Sequence, residues 1–201
     1  MTAPSTAAAV IVIGNISLIG LLPFVFFKPG RRTVGWLVTA SAFLTAPVLV
    51  AAARAGHAGP MLPAGAVRVT EVAGVVACLV SVYVIGVAVG SHRTPIALWH
   101  QRDDAPMEIV TWGPYRLVRH PLYTAFLTAL VAAVLVVPAL PMALAAAFGF
   151  VAIFLTARRE ERRLLASHLG SQYQAYMARS GRFLPPVAIF GAARAVTAPR
   201  S

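Results

Sequence analysis

The sequence predicts an all-α membrane protein, and three observations favour this fold class. Hydrophobic residues make up 59% of the 201 residues, charged residues make up 11%, and the mean hydropathy is +0.78, a composition far from that of soluble proteins. The apolar residues fall in uncharged runs that are long enough to cross a bilayer. No Gly-x-Gly-x-x-Gly motif or alternation of strands and helices predicts a nucleotide-binding parallel sheet.

Three apolar segments in the N-terminal half are predicted to be transmembrane helices: residues 7–27, 33–53 and 69–90. Each has about 20 residues, which is enough for a hydrocarbon core of roughly 30 Å. Residues 1–6 contain no Lys or Arg, whereas a signal peptide begins with a basic region. We therefore expect the first helix to be retained and not cleaved.

The longest apolar segment, residues 122–157, predicts a helical hairpin. It runs for 36 residues without a charge, which is too long for one span. Pro138 and Pro141 interrupt it near the middle, and proline disfavours a continuous helix because it removes an amide donor. The predicted hairpin consists of residues 122–137 and 141–157, which brings the number of predicted transmembrane helices to five.

The basic residues predict the orientation of these helices. The net charge is +11, and 16 of the 17 basic residues are arginine. With the N-terminus outside and the C-terminus inside, fifteen of them lie in the three cytoplasmic segments, as the positive-inside rule requires. Because they fall between apolar runs and form no basic stripe, no nucleic-acid partner is predicted. The Arg-rich, Lys-poor composition favours a bacterial inner or plasma membrane protein.

The predicted organisation is one integral membrane domain, residues 1–201. It comprises three N-terminal spans (1–90), a C-terminal core (91–186) that includes a cytoplasmic helical segment, and a flexible tail (187–201). The lone Cys78 excludes an intramolecular disulfide. The histidines form no i, i+4 pair and have no cysteine partner, so no metal site is predicted. The sequence predicts no oligomeric state.

A polar cassette, residues 113–123, interrupts the apolar sequence just before the fourth predicted span. It reads Gly-Pro-Tyr-Arg-Leu-Val-Arg-His-Pro-Leu-Tyr. Two arginines, a histidine and two tyrosines favour a binding site, although such residues also anchor helices at the membrane interface. Glu160 and Glu161 follow the fifth span and are candidates for the same site. The alternative is an exposed ion-pair surface on an arginine-rich helix.

The cassette and the glutamate pair together resemble the isoprenylcysteine carboxyl methyltransferase family and the phospholipid methyltransferase-like membrane enzymes. The cassette is similar to the family signature Arg-His-Pro-x-Tyr. The second block continues with Leu164, Gly170, Tyr173, Tyr176 and Leu184-Pro185. The resemblance covers residues 90–186 and implies an integral membrane methyltransferase, with a lipid bilayer around it and a lipophilic methyl acceptor.

The resemblance also implies S-adenosyl-L-methionine as the cofactor. A buried carboxylate is the matching partner for its ammonium group, and an aromatic face attracts its sulfonium cation. The implied cofactor contacts are His100, Glu108, Ile109, Val110, Tyr115, His120, Pro121, Leu122, Tyr123 and Glu160. Arg119 and Glu161 are the predicted catalytic residues.

The predicted reaction is methyl transfer to a lipophilic small-molecule or lipid-linked acceptor at the cytoplasmic membrane interface. In the eukaryotic relatives an arginine one helical turn before the glutamate is thought to bind the substrate carboxylate. Thr156 occupies that position here, which favours an acceptor other than prenylcysteine unless Arg119, Arg158 or Arg159 substitutes. Two alternatives stay open: an NADPH-dependent steroid- or sterol-type reductase, which favours Asn in place of Leu122, and a non-catalytic membrane scaffold.

Overall fold

The computed structural model describes residues 3–25, 34–57, 62–92 and 108–186, which form six α-helices. In chain order these are α1 (Thr6–Val25), α2 (Val34–Arg54), α3 (Ala64–Gly90), α4 (Pro121–Val136), α5 (Leu140–Leu165) and α6 (Gly170–Arg179). A turn of 3₁₀ helix covers Gly113–Arg116. Within the described ranges there is no β-strand, so the predicted all-α class is confirmed for them.

The predicted hairpin corresponds to α4 and α5. α4 ends at Val136 and α5 begins at Leu140, and both prolines lie at this junction. Pro141 occupies the first turn of α5, where a missing amide hydrogen costs nothing because the first amides of a helix have no intrahelical acceptor.

The end of α5 differs from the prediction. The sequence favours a helix that continues from the fifth span to a stop at Gly170, but α5 ends at Leu165 and Gly170 is the first residue of α6. A turn built on Ser167 separates the two helices. Its hydroxyl accepts a hydrogen bond from the Leu169 amide at 3.2 Å, and its carbonyl accepts one from the Gly170 amide at 3.0 Å. A serine side chain that competes for backbone groups in this way ends the helix early.

Two of the described helices, Gly65–Gly90 and Leu140–Leu165, are long and apolar enough to cross a membrane, judged by length and composition. The shorter apolar helices are Thr6–Leu22, Val38–Arg54 and Pro121–Val136. The exposed side of α3 is apolar, with Val69, Val72, Val76, Leu79, Val80 and Tyr83. A contiguous apolar surface of this kind is rare on a soluble monomer, and its presence is compatible with contact to lipid.

α4 lies in the middle of the bundle and packs against α1, α3 and α5. Its buried residues are mostly small: Ala125, Ala129, Ala132 and Ala133 are each 0% exposed. Small side chains let neighbouring helix backbones approach closely. Ser81 of α3 adds a polar contact, because its hydroxyl donates to the Ala125 carbonyl at 2.9 Å and lies 3.3 Å from the side-chain oxygen of Asn15 in α1.

Gly74 marks the closest approach of α3 to α4. A Cβ added there would lie 2.6 Å from Val136 Cγ2 and 2.9 Å from the Ala132 carbonyl oxygen, so α3 would have to move. We expect Gly74→Ala to reduce the free energy of unfolding by about 1–3 kcal/mol through overpacking. Gly86→Ala is the matched control, because nothing lies within 4 Å of a Cβ at that position of the same helix. Thermal unfolding of both variants in one detergent tests this packing, and equal stabilities would contradict it.

The two ends of α3 carry different polar groups. Near its start, Glu71 accepts a hydrogen bond from the Ser5 amide at 3.3 Å. At its other end, His92 contacts Tyr115 of the cassette, and Ser91 contacts Trp112 directly before it. At 1.5 Å per residue these ends lie about 30 Å apart. The start of α4, the end of α5 and α6 join the cassette at this second end, where the candidate site lies.

Candidate functional site

The cassette begins with a turn that fixes it to the end of α3. Gly113 has φ = +59°, a left-handed conformation that favours glycine, and a Cβ there would collide with the Ser91 hydroxyl. The indole N–H of Trp112 donates to the Ser91 carbonyl at 2.8 Å. Pro114 then opens the 3₁₀ turn, for which its fixed φ is suited.

The C-terminal strap, residues 181–184, runs beside the second half of the cassette. Four hydrogen bonds join the strap to the cassette and to the first turn of α4: Gly181 N–H to Leu117 O (3.0 Å), Arg119 N–H to Gly181 O (2.8 Å), His120 N–H to Arg182 O (3.1 Å) and the Thr124 hydroxyl to Phe183 O (2.8 Å). Val118 and Gly181 form an isolated parallel bridge. The strap thus satisfies backbone groups of the cassette that belong to no regular helix.

Glu161, on the last turns of α5, is surrounded by hydrogen-bond donors. Arg182 donates to its carboxylate from Nη2 at 2.6 Å and from Nε at 3.0 Å, and Arg119 donates from Nε at 3.0 Å. His120 Nε2 lies 3.3 Å from the same carboxylate. The Glu161 side chain is 4% exposed and that of Arg119 is 8% exposed. Two guanidinium groups therefore hold Glu161 as a buried carboxylate that joins α5, the cassette and the strap.

Arg119 also binds the backbone at the end of α6. Its Nη1 donates to the Ser180 carbonyl, and a longer bond of 3.4 Å reaches the Met177 carbonyl. The Ser180 hydroxyl in turn donates to the Tyr176 carbonyl at 2.7 Å. The guanidinium of Arg119 therefore bridges Glu161 and the end of α6.

Glu160 is equally buried but has different partners. The Tyr123 hydroxyl donates to Glu160 Oε1 at 2.5 Å, and His120 Nδ1 lies 3.4 Å from Glu160 Oε2. The rings of His120 and Tyr123 stack, with centroids 5.4 Å apart. Adjacent residues of a helix point about 100° apart, which explains why Glu161 faces the arginines while Glu160 faces the aromatic rings of α4.

The His120 ring lies between the two carboxylates and precedes the first residue of α4. Burial lowers the pKa of its imidazole, the charges of Arg119 and Arg182 act in the same direction, and the hydrogen bond and charge of Glu161 oppose them. The ring is therefore neutral at pH 7 and carries one N–H, which limits it to one donated hydrogen bond.

Tyr115 forms the wall of the site on the side of α3. Its hydroxyl lies 2.7 Å from His92 Nε2, and its carbonyl accepts a hydrogen bond from the Tyr176 hydroxyl at 2.6 Å. Burial raises the pKa of the Tyr115 hydroxyl, and the nearby Tyr176 and Glu160 act in the same direction. Tyr115 is thus a neutral phenol at pH 7, held between α3 and α6.

The predicted contacts before the cassette have partners other than the glutamate pair. Glu108 is exposed and interacts electrostatically with His92. Ile109 is half-buried and packs against a small core of α5 and α6 that contains Leu164, Tyr173 and Tyr176. The prediction for His100 lies outside the described residues.

The apolar contacts predicted in the cassette region are part of the packing around Tyr115. Val110 packs against the cluster of Ala88, Tyr115 and Leu122. Pro121 is fully buried at the start of α4. The structure therefore brings together Tyr115, Arg119, His120, Tyr123, Glu160 and Glu161, while the apolar predicted residues support them from behind.

Arg182 and His92 contact residues of the site, although neither was predicted from the sequence to belong to it. Arg182 donates to Glu161 from two of its nitrogens, and His92 supplies the partner of the Tyr115 hydroxyl. The segment Gly-Arg-Phe-Leu-Pro-Pro, residues 181–186, contains one feature that indicates the Arg182 contact indirectly. A basic residue between a helix end and two prolines is available to a buried carboxylate, which needs charged or hydrogen-bonding partners.

The two glutamates differ in what they could still bind. Glu161 already accepts bonds from two guanidinium groups, whereas Glu160 has a neutral hydroxyl and a neutral imidazole beside it. The environment of Glu160, with aromatic rings and oxygen acceptors, suits an organic ammonium group. In the part of the chain that the structure describes, no group of three or more His, Cys, Asp or Glu residues could hold a metal ion.

Comparison with known proteins finds a family match in the middle of the chain. Residues 71–167, just under half of the chain, match the model of the isoprenylcysteine carboxyl methyltransferase (ICMT) family. No curated protein matches the chain, and no solved structure matches it. The matched residues include most of α3, all of α4 and α5, and the cassette with both glutamates. The match confirms the resemblance noted in the sequence: residues 71–167 are similar to the ICMT family of membrane methyltransferases.

Proposed function

We propose that this protein transfers a methyl group from S-adenosyl-L-methionine to a lipophilic small-molecule or lipid-linked acceptor at the cytoplasmic face of a membrane. The buried Glu160 carboxyl, which lies between Tyr123 and His120, supports this function most directly. A buried carboxyl with neutral partners matches an ammonium group, and the ICMT family match supports a methyltransferase.

Glu160 is the proposed partner of the cofactor ammonium. The aromatic rings of Tyr115 and Tyr123 are the proposed partners of the sulfonium, an interaction that contributes about 2 kcal/mol when desolvated. The other proposed contacts are His100, Glu108, Ile109 and His120, whereas Val110, Pro121 and Leu122, also predicted as contacts, are proposed to hold the site from behind. When bound, S-adenosyl-L-methionine supplies an electrophilic methyl group on a sulfur leaving group.

Arg119 and Glu161 are proposed to act in the alignment of this site. Their ion pair connects the cassette to α5 at 3.0 Å. The residues that flank the reacting groups are thereby held on rigid helix ends, and alignment of reactants contributes about 7–11 kcal/mol to such reactions. A carboxylate acceptor needs no general base, whereas an amine or thiol acceptor does.

The proposed acceptor differs from that of the eukaryotic relatives. Thr156, at the position of their carboxylate-binding arginine, is buried, and its hydroxyl donates to the Ala152 carbonyl at 2.8 Å. Arg119 is engaged by Glu161. Arg158 lies over the Phe154 ring at 5.8 Å and is exposed. A lipophilic acceptor other than prenylcysteine is therefore favoured.

The proposed membrane arrangement has five transmembrane helices, with the N-terminus outside and the site on the cytoplasmic side of a bacterial inner or plasma membrane. Five apolar helices support it, two of which reach full spanning length. The apolar surface of α3 supports it as well. In this arrangement the arginines at the end of α5 meet anionic lipid head groups, which attract basic residues. Residues 1–90 supply three spans, and residues 91–186 supply the cofactor-binding core.

Ligand-dependent thermal stability tests this proposal. S-adenosylhomocysteine at 100 times its dissociation constant should stabilise the purified protein by about 2.7 kcal/mol, because it binds only the folded state. NADPH should have no effect and serves as the matched control. Stabilisation by NADPH alone would favour a reductase, and an effect of neither ligand would favour a scaffold; both outcomes contradict the proposal.

A further inference from the structure

Arg182 is the partner of Glu161 that comes from the strap. Its Nε and Nη2 both bind the carboxylate, with Nη2 only 2.6 Å from Oε2. This two-point contact fixes the plane of the carboxylate, which a single ammonium group could not do. The Arg182 side chain is 28% exposed and the Glu161 side chain is 4% exposed, so the arginine reaches inward from the surface to orient a buried group.

The orientation of Glu161 decides which nitrogen of His120 carries the hydrogen. A carboxylate held by two guanidinium groups is ionised and can only accept hydrogen bonds. His120 Nε2 lies 3.3 Å from Glu161 Oε1 in hydrogen-bonding geometry. Nε2 must therefore carry the ring hydrogen, and in a neutral imidazole this leaves Nδ1 without one.

His120 Nδ1 then faces Glu160. The distance between Nδ1 and Glu160 Oε2 is 3.4 Å. In this tautomer Nδ1 has a free electron pair, and Oε2 has one as well when the Glu160 carboxyl is ionised. Two acceptors that face each other favour a ligand that brings hydrogen-bond donors. Tyr123 occupies the other oxygen of Glu160, at 2.5 Å, so the Nδ1 side of the carboxyl is the one left for a donor.

We propose that Arg182 is a positioning residue: through Glu161 it fixes the Nε2–H tautomer of His120, so that the bare Nδ1 and Glu160 form a paired acceptor for the ligand ammonium. The identity of this ligand rests on the proposed function. The tautomer of His120 is a property of the ligand-free protein and is measurable without any ligand.

The backbone of Arg182 makes a separate contribution that side-chain variants leave in place. Its carbonyl accepts the His120 amide at 3.1 Å, and the neighbouring Gly181 pairs with the cassette. Replacement of the Arg182 side chain therefore retains the strap bonds. This separation makes Arg182→Gln and Arg182→Lys suitable probes of the orientation of Glu161.

NMR of protein with ¹⁵N-labelled histidine rings tests the tautomer in the absence of ligand, since protonated and bare ring nitrogens have different shifts. The chain has five histidines, and the spectrum of His120→Asn identifies the His120 signals. We expect Nε2–H and a bare Nδ1 at pH 7.5, and a mixture of tautomers in Arg182→Gln. A doubly protonated ring, an Nδ1–H tautomer in the wild type, or an unchanged tautomer in the variant would overturn the proposal.

Equilibrium binding of S-adenosylhomocysteine tests the consequence. Partners that orient a metal-binding imidazole contribute about tenfold to a hundredfold to metal affinity. From the same orienting effect we expect Arg182→Gln to weaken binding by about tenfold to a hundredfold and Arg182→Lys by less. Arg179→Gln is the matched control, because Arg179 is an exposed arginine at the end of α6. Equal affinity of wild type, Arg182→Gln and Arg182→Lys refutes the positioning role, whereas failure of the wild type to bind refutes the proposed function.

Discussion

Glu160→Gln should weaken the binding of S-adenosylhomocysteine by at least about a hundredfold while the protein stays folded. Removal of one charge from a buried ion pair costs about 3–5 kcal/mol, and each 1.4 kcal/mol is about tenfold in affinity. Glutamine keeps the shape of Glu160 and can still accept the Tyr123 hydroxyl, so the packing of α4 against α5 is retained. Isothermal titration of the purified variant measures the loss.

Glu71→Gln is the matched control for this experiment. Glu71 lies near the start of α3 and accepts the Ser5 amide, at the opposite end of the helix from the site. The same substitution there should leave the affinity unchanged. If Glu160→Gln binds the ligand as tightly as Glu71→Gln does, the ammonium of the ligand does not bind Glu160.

Glu161→Gln should have the larger effect on folding. Glu161 joins Arg119 and Arg182 in a buried contact, and removal of its charge leaves Arg119, which is 8% exposed, without its counter-ion. Such a loss costs about 3–5 kcal/mol of stability. Thermal unfolding in detergent measures the effect, with Glu108→Gln as the control because Glu108 is exposed.

A double-variant cycle separates the ion pair from general disturbance of the helix end. Residues in direct contact show interaction free energies of about 0.5–3 kcal/mol, so Glu161→Gln combined with Arg182→Gln should be less destabilising than the sum of the two single changes. Strictly additive effects, or a Glu161→Gln variant as stable as Glu108→Gln, would contradict the buried contact.

The helices follow from local features of the sequence, which is why they could be predicted. An uncharged run with two prolines near its middle predicts α4 and α5. The length of the run indicates two apolar helices, and the prolines, which lack an amide hydrogen, indicate where the first helix ends and the second begins. The end of α5 was placed wrongly at Gly170. Glycine is a common helix stop, but the Ser167 side chain competes for the backbone three residues earlier.

The site could be predicted only in part, because its two halves meet through long-range contacts. The signature residues predict that the cassette and the glutamate pair belong together. Which glutamate faces the arginines depends on the rotation of α5 about its axis. Neighbouring residues of a helix point about 100° apart, so the two glutamates have different surroundings, but the sequence does not show which of them faces the arginines. The Arg182 contact depends on backbone pairing between the strap and the cassette, and such pairing leaves no local pattern in either segment.

Glu160 is the proposed partner of the cofactor ammonium. The most direct test compares S-adenosylhomocysteine with its des-amino analogue, which lacks only that ammonium, on the wild type and on Glu160→Gln. The wild type should prefer S-adenosylhomocysteine by about a hundredfold or more, as expected for a buried charge pair of about 3–5 kcal/mol, and Glu160→Gln should bind both ligands equally weakly. The same preference in both proteins would contradict the claim, because the ammonium would then be recognised elsewhere.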